Sequence, residues 1–139
     1  MTIPIEELAT FSGSYAGDGI WIDDTGESNR YEVLQLIRHE ATKLMVSYTH
    51  NFMEEGNTTH GEFVFEFVSP TIFDSSLNGV VVGNGYVFDT YLHFNIRIGD
   101  VFVETSYARA VDSIQVRGSS TSNSQGRFIA WSESLTAIA

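Results

Sequence analysis

Apolar and polar residues alternate with a period of two along most of the chain, the pattern of strands that bury one face. In "GEFVFEFV" the rings of Phe63, Phe65 and Phe67 fall on one face, while Glu62 and Glu66 share the other with Val64 and Val68. In "TYLHFNIRIGDVFVETSY" the Gly99-Asp100 pair suits a two-residue hairpin, because glycine accepts the positive φ at the first position of a type II′ turn. That turn sets Ile98 against Val101 and Ile96 against Val103, so one side carries Leu92, Phe94, Ile96, Ile98, Val101, Val103, Thr105 and Tyr107. The opposite side carries Tyr91, His93, Asn95, Arg97, Phe102, Glu104 and Ser106, with Arg97 and Glu104 on a diagonal that lets them pair. A row of that kind reads as the solvent face of an antiparallel sheet.

The remaining segments follow the same logic. "RYEVLQLIRHE" and "KLMVSYTHNF" are β-rich runs joined at Ala41-Thr42, and a polar loop, "MEEGNTT", leads into the phenylalanine strand. "SPTIFDSSLNGVVVGNGYVFD" reads as one or two short strands broken at Pro70, Gly79, Gly83 and Gly85. "SIQVRG" and "GRFIAWSESL" are two further strands joined by a polar connection, "SSTSNSQ". At the start, "IPIEELATF" places Pro4 and two acids, Glu6 and Glu7, in a first turn, with Ile5, Leu8 and Phe11 at helical spacing, which predicts a short amphipathic helix. The sum is a single all-β domain over residues 1–139 with eight to ten short antiparallel strands and no βαβ unit. Short local connections favour an up-and-down barrel over a Greek key, and closure leaves no edge strand to protect.

One strand is unusual. "GSYAGDGIWID" sets Gly13, Tyr15, Gly17, Gly19 and Trp21 on one side, so three vacancies share a face with two large rings. Glycines there let a strand coil tightly and let neighbouring aromatic rings cover the gaps. A second reading makes the vacancies a bay for a ligand against Tyr15 and Trp21.

The spacing of Gly13, Tyr15, Gly17 and Gly19 after a short helix resembles the first strand of calycin-type barrels, in particular the nitrobindin-like group, over residues 11 to 22. The resemblance implies about ten antiparallel strands closed around an apolar pocket. Gly19-Ile20-Trp21 also matches the lipocalin Gly-x-Trp triplet. Nitrobindin-like proteins bind haem through a histidine close to the C-terminus. Here the last histidine is His93 and the chain ends "WSESLTAIA", so haem by that route is not expected, and no cofactor is.

Composition narrows the partners. Eighteen acids against seven Lys and Arg give a net charge of -11, which repels nucleic acid and anionic lipid. The chain lacks cysteine, so thiolate chemistry and disulfides are out. No signal sequence opens it and no apolar run nears the ~20 residues of a membrane span, which predicts a soluble, cytoplasmic protein. A homodimer is compatible with the pattern.

Candidate chemistry is sparse. His39, His50, His60 and His93 lack metal-ligand spacing, no nucleophile elbow occurs, and no catalytic set can be named. His50 interrupts an apolar row with Val46, Tyr48 and Phe52. If that row lines a lumen, His50 is either a satisfied core histidine or a group that orients a ligand. Tyr15, Trp21, Tyr48 and His50 are therefore the candidate ligand-binding residues, and a small hydrophobic or amphipathic molecule is the expected partner. The competing possibilities are an interaction domain whose lumen is filled by phenylalanine, and a lumen-based isomerase or lyase with His50 or His93 as base.

Overall fold

The computed structural model describes residues 10–122 and 126–138. They form ten strands: β1 (Gly13–Asp23), β2 (Ser28–Glu40), β3 (Lys43–Phe52), β4 (Asn57–Phe67), β5 (Ile72–Leu77), β6 (Val80–Phe88), β7 (Tyr91–Ile98), β8 (Val101–Arg109), β9 (Ser113–Ser122) and β10 (Arg127–Ile138). Each pairs antiparallel with its sequence neighbours, and β1 pairs with β10, so the sheet closes into an up-and-down barrel. Of the expected N-terminal helix, Thr10 and Phe11 are helical, and the rest lies outside the described residues.

Turn chemistry sets the register. Gly99 adopts φ 59° at the tip of the β7–β8 hairpin, and Ile98 faces Val101 and Ile96 faces Val103, as the sequence predicts. Asn78 and Gly79 both have positive φ between β5 and β6, and Asn78 Oδ1 accepts a hydrogen bond from the Glu62 amide at 3.0 Å. The region expected to hold one or two broken strands is thus β5 and β6, with the register shifting between Ser75 and Ser76.

Three expectations need correction. Arg97 does not pair with Glu104: its guanidinium lies 4.9 Å from the Phe102 ring centre, its direct cross-strand partner, and Glu104 approaches His93 Nε2 at 3.7 Å. The polar stretch "SSTSNSQ" is not simply a connection, because Ser119 to Ser122 continue β9, paired on one side with β8 and on the other with β10. Likewise β4 begins at Asn57, inside the loop expected from "MEEGNTT". In a closed barrel, two flanking strands satisfy the backbone of such residues, and side-chain polarity no longer decides the matter.

The core fills one end of the barrel. Phe65, Phe73 and Phe94 are fully buried, with ring centres 4.6 Å apart for Phe65 and Phe73 and 4.8 Å for Phe65 and Phe94. Phe67, Ile37, Leu44, Leu92 and Leu135 continue this cluster, and Phe11 is buried against it. The Tyr15 hydroxyl donates to the Phe11 carbonyl at 3.1 Å, tying the start of β1 to that end.

Four glycines of the barrel wall follow one rule. Gly19, Gly61, Gly85 and Gly118 sit directly across from Tyr31, Tyr48, Phe73 and Trp131. At each of the four, an added Cβ would lie under 3.0 Å from an atom of that partner's ring. The ring lies flat over the neighbouring backbone, where a side chain would otherwise stand. Gly17 differs, since its missing side chain makes room for the Ser134 carbonyl of β10. The vacancies of β1 are therefore closed by a tyrosine ring and by a close backbone approach, and they do not form a bay between Tyr15 and Trp21.

Candidate functional site

Above the phenylalanine cluster the lumen is open. A cavity of about 350 Å³ lies toward the end of the barrel that carries the β1–β2, β3–β4, β5–β6 and β7–β8 turns. That is at the lower end of the range for small-molecule sites, roughly 300–1,000 Å³. Its wall is mainly apolar: Trp21, Phe52, Phe63, Leu77, Ile96, Ile98, Val103, Val116 and Trp131. Thr59 and Ile98 are exposed and mark where the cavity meets solvent. Flattening of the Tyr31, Tyr48 and Trp131 rings against Gly19, Gly61 and Gly118 keeps three of the largest side chains of this wall from filling the space they surround.

Three of the four candidate residues meet here. Trp21, Tyr48 and His50 line the cavity. Tyr15 does not line it: it shares the inward face with Trp21, but lies six residue steps earlier along the strand, about 20 Å at roughly 3.3 Å per residue. The His50 ring packs 4.9 Å from Tyr48 and 5.0 Å from Tyr31. His93 is on the outer face, as the alternation in β7 requires, stacked on Tyr86 with Nδ1 2.9 Å from Ser106 Oγ.

Apart from Thr59 at the mouth and Thr105, the polar groups of this wall gather around Glu133. Glu133 of β10 projects inward between Trp131 and Leu135 and is 2% exposed. The Tyr31 hydroxyl donates to its Oε2 at 2.7 Å, and His50 Nε2 lies 3.5 Å from the same oxygen. Its other oxygen, Oε1, is buried without a hydrogen-bond partner. Beside this cluster the Tyr107 hydroxyl donates to Gln35 Oε1 at 3.1 Å.

Burial governs the protonation of all of these groups. It pushes the Glu133 carboxyl up to about 7, against the opposing pull of the Tyr31 hydrogen bond. It pushes His50 down to about 4. Between these values both side chains are neutral, so their 3.5 Å approach is a polar contact there and not an ion pair. Tyr31 and Tyr107 are held well above the ordinary phenol range, chiefly by burial and then by the nearby Glu133 carboxylate, and Tyr48 is raised for the same two reasons. Among the described residues no group of His, Asp or Glu is arranged to hold a metal ion.

Glu133, Tyr31, Gln35 and Tyr107 are absent from the expected site. For Glu133 a signal existed, since in "WSESL" it has the parity of Trp131 and Leu135, an acid inside an apolar row. Tyr31 carried a weaker one, as the first member of the inward row Tyr31, Val33, Gln35 and Ile37. Their convergence depends on β10 closing against β1, the strand that also carries β2 on its other side, which no local pattern encodes.

No protein-family model matches the chain, and no curated protein sequence does. Solved structures share its architecture. The S-type phycobiliprotein lyase CPES from Guillardia theta superposes with a TM-score of 0.79 at 10% identity, over 96% of this chain and 92% of that one. Rv2717c from M. tuberculosis gives 0.78 at 14% identity, over 100% of both chains. A DUF3598-family protein of unknown function from Nostoc punctiforme gives 0.72 at 11% identity, over 94% of this chain and 49% of that one. At such identities the likeness concerns the fold. The chain is a ten-stranded calycin-like barrel.

Proposed function

We propose that the protein binds a small apolar or amphipathic molecule in the lumen of the barrel. The observation that carries this reading is the cavity of about 350 Å³, walled by apolar side chains beside one cluster of polar groups. In water such a surface is poorly hydrated, and an apolar guest that displaces that water gains the burial of its own surface as well. Roughly a dozen water molecules at their liquid volume would occupy the same space, which sets the scale of the guest. No cofactor is part of this proposal.

Both tryptophans of the chain, Trp21 and Trp131, line the cavity, so intrinsic fluorescence reports directly on occupancy. Incubation with a mixture of small hydrophobic compounds, followed by native mass spectrometry and titration of each retained compound, should give one bound molecule per chain and altered tryptophan emission. Retention of nothing, with unaltered emission, would count against the proposal.

One observation favours a second reading, a proton-transfer enzyme: Glu133 combines an apolar setting with a carboxyl that titrates near neutrality, beside the hydroxyl of Tyr31. The base-catalysed ring opening of 5-nitrobenzisoxazole tests it. A saturable rate lost in Glu133→Gln supports an enzyme, and a rate no greater than that of free carboxylate argues against one.

A further inference from the structure

The charge balance of the cavity wall is one-sided. Among the described residues that line it, Glu133 carries the only carboxylate, and none is Lys or Arg. His50, the remaining candidate for a positive partner, is kept neutral by burial down to a pH of about 4. Glu133 Oε1 is buried with no partner, although the Glu133 side chain is 3% exposed and belongs to the cavity wall. A buried carboxylate in this condition is costly unless something supplies a donor or a positive charge.

The rest of the wall suits the same guest. Tyr31, Tyr48 and Trp131, lying flat over Gly19, Gly61 and Gly118, turn ring faces toward the cavity, and aromatic faces attract cations. The whole chain, at -11, draws cations toward it and repels anions. A ligand carboxylate would meet a like charge with no cation to offset it, and a ligand without a donor would leave Oε1 unsatisfied.

We infer that the preferred ligand is a hydrophobic amine, held as its ammonium ion against the Glu133 carboxylate with its apolar body among the surrounding rings. This rests on the lumen-binding reading and narrows it to a chemical class. The binding is linked to the proton on Glu133. Its direct strand partners, Gly19 on β1 and Val116 on β9, bring no titratable group. Across the lumen it is faced by Tyr31 on β2, Tyr48 and His50 on β3 and Tyr107 on β8, and none of these gains or loses a proton between pH 5.5 and 8 by the shifts given above. Affinity for an ammonium ion therefore rises with pH as Glu133 ionises, and levels off above its titration.

The test compares 3-phenylpropylamine, 3-phenylpropanol and 3-phenylpropionate, three probes of one shape and different charge, by tryptophan fluorescence on the full chain. The amine is expected to bind roughly tenfold or more tighter than the alcohol, with the carboxylate weakest. Raising the pH from about 5.5 to 8 should tighten the amine roughly tenfold or more and leave the alcohol unchanged. Glu133→Gln should erase the preference for the amine, bringing amine and alcohol to within about twofold of each other. Equal binding of amine and alcohol in the unaltered protein, or a preference that survives Glu133→Gln, overturns the amine inference while the lumen-binding reading stands. Binding of none of the three overturns both.

Discussion

Replacing Glu133 by glutamine keeps the shape of the side chain and an acceptor for the Tyr31 hydroxyl, and it removes the charge that burial opposes. In the unfolded chain the carboxyl titrates at its ordinary value of 4.5, and in the folded protein at about 7. Between these values the folded state holds a proton that the unfolded state has lost, so stability falls as pH rises through that window. At about 1.4 kcal/mol per pH unit, the displacement from 4.5 to about 7 amounts to about 3 kcal/mol at pH 8.5 and almost nothing at pH 4.5. His50 acts in the opposite sense. Its folded value of about 4 lies below the ordinary 6.5, so the unfolded state binds the extra proton and stability falls as pH drops through that range. The two gradients offset one another in the native chain between about pH 4.5 and 6.5, and Glu133→Gln leaves the histidine term alone. Urea unfolding of both proteins at pH 5 and pH 8.5 isolates the carboxyl, because the difference between them cancels groups common to both. Glu133→Gln should gain about 2.5 kcal/mol relative to the native chain between the two pH values, because at pH 5 the unfolded carboxyl is already mostly ionised. A constant difference, or one of opposite sign, would mean that the carboxylate is well accommodated as an ion, and the reasoning about this cluster would fail.

Other substitutions probe separate parts of the barrel. Phe65→Ala removes a ring with no exposed surface that packs on Phe73 and Phe94, and should cost about 3–5 kcal/mol in urea unfolding. Gly118→Ala would place a Cβ 2.5 Å from Trp131 ring atoms, so it should destabilise the fold by about 1–3 kcal/mol and change the emission of Trp131. An unchanged spectrum with unchanged stability would refute the ring-over-glycine packing. Asp23 Oδ1 accepts from the Thr25 hydroxyl at 2.6 Å and from the amides of Thr25 and Glu27, which ties the β1–β2 turn together and lowers its titration below 3.8, the Thr25 hydroxyl contributing most. This contribution is present above pH 3.8 and disappears as pH falls through the folded value, so Asp23→Asn should lower the melting temperature at pH 7 and much less at pH 3.

The barrel was legible wherever local chemistry decides the outcome. Alternation located the inward rows of β4, β7 and β8, and the Gly99 turn gave the register of the last two. Ser119 to Ser122 were misread because polarity there reflects the side chains, whereas the strand is fixed by neighbours on both sides. Parity also placed Tyr15 and Trp21 on one face correctly, but it carries no information about height along the barrel, which separates the capped end from the open one. For the same reason His50 and Tyr48 emerged from a single strand, while Glu133 required the closure of β10 on β1 to become their neighbour. The glycines were read as sites of bending and ring cover. What the pattern could not supply was the partner of each, such as Tyr31 over Gly19 or Trp131 over Gly118.

The most direct test of an open, guest-accepting lumen is diffraction from crystals soaked in iodobenzene, a neutral apolar probe whose iodine scatters anomalously. An iodine peak inside the barrel, bounded by Trp21, Phe63 and Trp131 and absent from the phenylalanine-packed end, is the expected result. Side chains closed over that space, with no iodine within it at saturating probe, would contradict a binding role for the lumen.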